Sequence, residues 1–249
     1  MVNVIMHGCN GKMGRVITDL ISKDEDVQIV AGIDAYTGIA NDYPVFKSIK
    51  ECDVKADAII DFAVTAAIDD LLDYAVETKT PVVVCTTGLS AQQLDKVNEA
   101  SKSVAVLRSA NMSLGINTLM KVLKIATDVL ADRGFDIEIV EKHHNQKIDA
   151  PSGTAELLYE VMAEEIDGVE ACYDRSSRHE KRKKEEIGIQ SLRGGTIFGE
   201  HTIMFAGVDE IIEIKHTALS KEVFVQGAIS AAYALNDKDN GLFTLKSLY

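Results

Sequence analysis

The chain passes from an apolar segment, Val2-Asn3-Val4-Ile5-Met6, into Gly8-Cys9-Asn10-Gly11-Lys12-Met13-Gly14. A buried strand that ends in a glycine-spaced turn and opens a helix points that helix N-terminus beyond the strand. A backbone without Cβ atoms approaches a pyrophosphate closely, and the helix start offers N–H groups and a partial positive charge. The spacing is G-x-x-G-x-x-G, a variant of the dinucleotide fingerprint, although glycine triplets also serve as ordinary turns. Its context is specific. Residues 27–33 read as a second strand, and Asp34 follows it, roughly 20 residues beyond Gly14, where a carboxylate can accept hydrogen bonds from the adenine-ribose hydroxyls. Ala35-Tyr36, not an arginine, comes next, which favours NADH over NADPH. Lys47 or Lys50 is available to fold over a 2′-phosphate.

Strand and helix then alternate. Residues 58–62, 81–85 and 104–107 read as short apolar strands, and 11–22, 66–78 and 90–102 as helices. Near-continuous apolar runs are expected of strands buried on both faces, and this alternation indicates a parallel sheet in an α/β domain. Cys85-Thr86-Thr87-Gly88 and Ser109-Ala110-Asn111-Met112 each follow a strand. Ligands of open parallel sheets bind beyond the carboxyl ends of the strands, so these segments can hold a nicotinamide and its ribose; ordinary turns and caps fit them as well.

Past residue 113 the pattern changes. Residues 114–131 and 155–166 have helical spacing and 135–142 alternates as a strand. Residues 187–193, 196–206 and 210–217 read as consecutive strands without intervening helices, which implies a second domain on a mixed or antiparallel sheet. A last helix, 221–235, is expected to return to the first domain.

The connection after the strand at 135–142 is dense in chemistry: Glu141-Lys-His-His-Asn-Gln-Lys-Ile-Asp-Ala-Pro-Ser-Gly-Thr-Ala155. The net charge of −13 argues against general nucleic-acid binding and makes a local cationic cluster informative. Adjacent strand residues point to opposite faces, so His143 and His144 serve one site only if the strand ends there. Ser152 suits an N-cap, and Gly153-Thr154 then supply helix-start N–H groups that favour a carboxylate. Lys147 and the histidines can pair with such an anion, and histidine can donate a proton near neutral pH. HExxH and G-x-S-x-G are absent, and neither a metal nor a serine nucleophile is expected. The basic run 175–184 reads as a solvated mobile loop or, alternatively, a contact for a phosphate or partner. No apolar run approaches the roughly 18 residues of a membrane span, no signal peptide is expected, and four scattered cysteines suit a reducing cytoplasm.

His143–Ala155, as HH-x-x-K-x-DAPSGTA, resembles the signature of the 4-hydroxy-tetrahydrodipicolinate (dihydrodipicolinate) reductase family. The resemblance spans the chain, through Gly8–Gly14, Asp61-Phe62, Thr86-Thr87-Gly88, Ala110-Asn111, Arg193-Gly194-Gly195, Gly199–Thr202 and Gly227-Ala228. It implies an α/β fold: a Rossmann-type parallel-sheet domain, residues 1–113 and 222–249, and a second α+β domain, 114–221, with a mixed, open sheet that builds a homotetramer. It implies hydride transfer from NADH or NADPH to a cyclic dicarboxylate in lysine and diaminopimelate synthesis. By position, His143 and Lys147 are its catalytic residues, and His144, Lys147, Gly153 and Thr154 its substrate-binding residues. The cofactor positions fall on Gly8, Cys9, Asn10, Gly11, Lys12, Met13, Asp34, Cys85, Thr86, Thr87, Ser109, Ala110, Asn111 and Met112. Departures from the family pattern are Asn145-Gln146, Lys221 in place of an arginine, Cys85 in place of a glycine, and Ala35 in place of a basic residue. Closure between the domains is expected to assemble the site. Two other readings are a related reductase of a different small dicarboxylate and a nucleotide-binding sensor without catalysis.

Overall fold

The computed structural model describes residues 1–109 and 111–248. In chain order the elements are β1 (Val2–His7), α1 (Lys12–Ile21), β2 (Val27–Ile33), β3 (Val45–Phe46), β4 (Ala58–Asp61), α2 (Ile68–Thr78), β5 (Val82–Val84), α3 (Ala91–Ser101), β6 (Ala105–Arg108), α4 (Leu114–Leu130), β7 (Asp136–His143), α5 (Gly153–Ala163), β8 (Glu170–Cys172), β9 (Glu186–Arg193), β10 (Gly199–Ala206), β11 (Ile211–Ala218), α6 (Glu222–Asn236) and β12 (Gly241–Phe243). They form two compact units, Met1–Ser113 with Lys221–Tyr249, and Leu114–Ser220. Among the described residues no helix is long and apolar enough to cross a membrane.

The first unit carries a seven-stranded parallel sheet in the order β12-β6-β5-β4-β1-β2-β3. Val4, Ile5 and Met6 of β1, Ile59 and Ile60 of β4, and Val82 and Val83 of β5 are fully buried, as strands covered on both faces must be. One face packs Ile17 and Ile21 of α1 and Val225, Ala228 and Ile229 of α6; the other packs Leu71, Leu72 and Ala75 of α2 and Val97 of α3. Each large aliphatic side chain buried in this way contributes about 1.5–3 kcal/mol. Ser90 caps α3 in a reciprocal box with Gln93, which fixes where that helix begins. Thus α6, distant in sequence, completes the core of the N-terminal sheet.

The second unit is built on a five-stranded mixed sheet, β11-β10-β7-β9-β8. β10 is antiparallel to β11 and β7, whereas β9 is parallel to β7 and β8. Ile137, Ile139, Ile187, Ile189, Ile203 and Phe205 pack beneath Leu119 and Leu123 of α4 and Leu158 and Met162 of α5. The short strands β3, β8 and β12 are absent from the sequence reading; two or three residues are too few to display a period. In the basic run Ser176, Ser177, His179, Lys181, Lys183 and Lys184 are exposed, as in a solvated loop, but the three arginines are tied down. Arg175 and Arg178 converge on the buried carboxylate of Glu186, and Arg182 pairs with Asp136 at 2.8 Å and Glu138 at 3.3 Å. These arginines fasten the run to β7 and β9.

Candidate active site

In the first unit, β1 delivers the chain into the glycine turn. Gly8 has φ +82°, and a Cβ there would lie 2.7 Å from the Phe62 carbonyl oxygen. A Cβ on Gly14 would lie 2.1 Å from the Gly8 oxygen. Only glycine allows the turn to fold back on α1 this tightly. Gly11 is the N-cap of α1 and brings no capping side chain, so the helix start is left to a ligand.

The Asp34 carboxylate is gripped by the Asn10 N–H at 3.0 Å and the Tyr36 N–H at 2.9 Å. Gly8, Asn10, Gly11, Asp34, Ala35 and Lys47 line one cavity of about 520 Å³. A glycine-lined cradle, an open helix start and an oriented carboxylate fit a dinucleotide. Lys12 and Met13 are the first residues of α1. The Cys9 side chain turns into the core, where burial and then Asp34 push its thiol up to about 11, so only its backbone is available to a ligand.

The other strand-end residues do not line this cavity. Cys85 is packed against the core, and burial and then Asp61 raise its thiol pKa, which keeps it protonated and unreactive. Thr86 donates to Asp61, whereas Thr87 is exposed. Ser109 donates to the Asn111 carbonyl, and the Asn111 side-chain oxygen accepts from the Ser113 N–H at 2.8 Å, so these side chains shape their own turn. Met112 is buried in the core, and Ala110 lies outside the described residues.

In the second unit, β7 ends at His143, leaving His144 outside the pleat. His143 Nδ1 is 2.5 Å from Glu141 Oε2. Glu141 is fully buried and accepts two bonds from Arg193, each 2.8 Å, and one from the Ser152 N–H at 3.1 Å. Burial pushes the Glu141 pKa upward, but hydrogen bonds from Arg193, Ser191 and His143 outweigh it and hold the group at about 2. Arg193 alone supplies a forked cation, so the carboxylate remains ionised whether or not His143 is charged. Burial, with Lys147 and Arg193 nearby, lowers the His143 pKa in spite of Glu141. The imidazole at rest is therefore neutral, with its proton on the Nδ1 that faces Glu141 and a lone pair on Nε2.

Ser152 caps α5 by accepting from the Ala155 N–H at 3.2 Å, and its hydroxyl meets His201 Nε2 at 3.1 Å. The His201 ring stands edge-on to His143, with centroids 5.2 Å apart. Burial and then the electrostatic effect of the neighbouring His143 lower the His201 pKa to about 4. A Cβ on Gly153 would meet nothing within 4 Å, so the start of α5 opens onto space. Lys147 Nζ reaches both oxygens of Asp149 at 2.8 Å, a pairing that depresses the Asp149 pKa. His144 Nδ1 is buried and has no hydrogen-bond partner among the described residues.

His143, Lys147 and the Gly153–Thr154 helix start thus share one short connection, braced by Glu141, Arg193, Ser152 and His201. Three of these four had no role in the sequence reading; only Ser152 had one, as an N-cap. Glu141 carried a signal, since it stands two positions before His143 and so shares its strand face. Arg193 and His201 lie in segments that carry the resemblance, but only the strand register brings them to Glu141 and His143.

Family models match both parts of the chain: "Dihydrodipicolinate reductase, N-terminus" over residues 2–112 and "Dihydrodipicolinate reductase, C-terminus" over residues 115–248. A 4-hydroxy-tetrahydrodipicolinate reductase of Clostridium novyi is 49% identical, covering 98% of this chain and 97% of its own. One from Caldanaerobacter subterraneus is 48% identical over 100% of this chain and 98% of its own. A dipicolinate-bound dihydrodipicolinate reductase from Paenisporosarcina shares the fold with a TM-score of 0.82 at 22% identity, covering 98% of this chain and 97% of its own.

Proposed function

The chain belongs to the dihydrodipicolinate reductase family, and from that premise we propose that it transfers hydride from a reduced nicotinamide dinucleotide to 4-hydroxy-tetrahydrodipicolinate. The product is tetrahydrodipicolinate, and the step belongs to lysine and diaminopimelate synthesis. The observation that carries the reading is the Glu141–His143 pair, locked by Arg193 beside the open start of α5. It joins an acid/base group to a carboxylate-binding end of a helix.

The dinucleotide is held in the N-terminal unit by the Gly8–Met13 turn and Asp34, with Cys85–Thr87 and Ser109–Met112 at the neighbouring strand ends; when bound it supplies the hydride. NADH is preferred, because the Asp34 carboxylate accepts from ribose hydroxyls and repels a 2′-phosphate. Lys47 on the same cavity wall offsets part of that repulsion, so the preference is small and NADPH is also used.

The substrate carboxylates bind Lys147, His144 and the N–H groups of Gly153 and Thr154. Charge-assisted bonds of this kind are roughly twice as strong as neutral ones. Lys147 then trades Asp149 for a substrate carboxylate. Two negative charges beside His143 offset Lys147 and Arg193, the two cations that hold its pKa down. The imidazole gains a proton on Nε2 while Glu141 steadies the cation through Nδ1. Loss of the C4 hydroxyl together with a C5 proton, as water, leaves a conjugated imine, and hydride attack at C4 then pushes an electron pair through it toward nitrogen. His143 returns its proton to complete the reduction, and Lys147 stabilises the developing charge. The assembly we propose is a homotetramer of the cytoplasm, built on the five-stranded sheet whose edge strand β11 exposes Ile211 and Ile212.

The test follows the absorbance of NADH and, separately, NADPH, with substrate formed in situ from pyruvate and aspartate semialdehyde. Rapid oxidation of either is expected. Oxidation with an open-chain dicarboxylate but none with the cyclic one would reject the assignment.

A further inference from the structure

The connection that carries His144 and Lys147 has little apolar anchorage of its own. Residues 145, 146 and 148–150 are exposed, Ile148 at 99%, so burial contributes little to its order. Its position rests on hydrogen bonds, and one turn at the end of β9, Arg193-Gly194-Gly195, supplies three of them. The Gly194 N–H donates to the His143 carbonyl at 2.9 Å, and the Gly195 carbonyl accepts from the Asn145 N–H at 3.2 Å. The Arg193 guanidinium, while forked on Glu141, donates to the Asp149 carbonyl at 2.6 Å. Asp149 in turn holds the Lys147 ammonium through both carboxylate oxygens. The turn therefore grips the connection on both sides of Lys147.

Gly195 has φ +50°, inside the left-handed region that side chains disfavour. A Cβ there would meet nothing within 4 Å, so it is the backbone conformation, not a lack of space, that calls for glycine. That conformation serves the hydrogen bond to Asn145. Returning φ to negative values rotates the peptide that follows and swings the Gly195 carbonyl away from the Asn145 N–H. The segment leading into Lys147 then loses its fixed start. A rigid dicarboxylate held at two points binds best where those points already stand at the right separation, because ordering them afterwards subtracts from affinity.

We infer that Gly195 is a positioning residue for substrate binding: its left-handed conformation aims a carbonyl at Asn145 and so pre-sets where His144 and Lys147 meet the two carboxylates. This rests on the reading of residues 143–154 as the substrate site.

The test is calorimetric. The full chain is titrated first with NADH and then, NADH-saturated, with pyridine-2,6-dicarboxylate, a planar cyclic dianion. The parent binds the dicarboxylate. Gly195→Ala binds it about tenfold more weakly, since binding must restore a turn that strains alanine. Gly195→Asn, whose side chain tolerates the left-handed region, recovers most of the loss. NADH affinity is the same in all three. Gly168, between α5 and β8 in the same unit, controls for strain alone: its φ is +70°, and a Cβ there also meets nothing within 4 Å. Gly168→Ala lowers the melting temperature as Gly195→Ala does and leaves dicarboxylate affinity at the parental value. Parental affinity in Gly195→Ala, an equal weakening in Gly168→Ala, or a parallel loss of NADH affinity overturns the inference and leaves the substrate site standing. A parent that binds NADH but no dicarboxylate refutes the substrate site itself, and the inference falls with it.

Discussion

Replacing Glu141 by glutamine keeps the shape of the side chain and removes the charge on which His143, Arg193 and the Ser152 N–H converge. The native state holds this carboxyl at about 2, against an ordinary value of 4.5. At about 1.4 kcal/mol per pKa unit, the ionised form contributes about 3 kcal/mol to folding. Because the native pKa is the lower one, that contribution is complete above pH 4.5 and is lost as pH falls through about 2. Leaving the Arg193 guanidinium against a neutral amide points to a similar size, since breaking one side of a buried pair costs about 3–5 kcal/mol. Glu141→Gln should therefore melt roughly 6–12 °C below the parent at pH 7, taking 2–4 °C per kcal/mol for a chain of this size. Its stability should also lose part of the parent's decline between pH 4.5 and 2. The same change leaves His143 without a fixed tautomer, so kcat should fall by roughly 10²–10⁴, the usual worth of general acid–base catalysis. Thermal unfolding over a pH series, with steady-state kinetics and NADH titration alongside, checks both. A variant that melts within a degree of the parent refutes the electrostatic argument. One that is destabilised yet turns over normally reduces Glu141 to a structural brace.

Lys147→Ala should abolish most turnover while NADH affinity stays nearly unchanged; an equal loss of cofactor binding, read by titration, would make Lys147 structural. Asp34→Ala should weaken NADH more than NADPH, and equal weakening would remove the ribose contact. His201 has a native pKa of about 4 and an unfolded value of 6.5, so its neutral form stabilises the fold fully above pH 6.5, and roughly 3 kcal/mol is lost as pH falls to 4. His201→Gln, which keeps an acceptor for Ser152, should flatten that part of a urea-unfolding pH profile; an unchanged slope would refute the assignment.

The elements legible in the sequence were those with a period to show. The runs at 58–62 and 81–85 are strands because Ile59, Ile60, Val82 and Val83 meet apolar atoms on both faces. The helix at 90–102 announced its start through Ser90 and Gln93. By contrast, β3, β8 and β12 exist because a neighbouring edge offers them hydrogen bonds, as β12 takes its register from Ala105–Leu107 of β6. The arginines of the basic run read as solvated because Glu186, to which Arg175 and Arg178 are tied, is just one more acidic residue in a chain rich in them.

The site divides in the same way. His143, Lys147 and the α5 start are adjacent in sequence, so a motif displays them. What orients them is distributed over three strands and exists only in register. On β7, Glu141 stands beside His201 of β10, and His143 stands beside Arg193 of β9. Side chains paired across strands share a face, so this pairing alone stacks two imidazoles, a carboxylate and a guanidinium into one buried layer. A slip of one residue in β9 would carry Arg193 to the opposite face and leave Glu141 as an unpaired buried charge. The apolar alternation on β7 and β9, Ile137 and Ile139 against Ile187 and Ile189, forbids that slip, because it would expose the core at the same time. The hydrophobic pattern of the sheet therefore sets the geometry of the polar network at its end, and the Glu141–His143 pair takes its position from apolar residues that make no hydrogen bond to it.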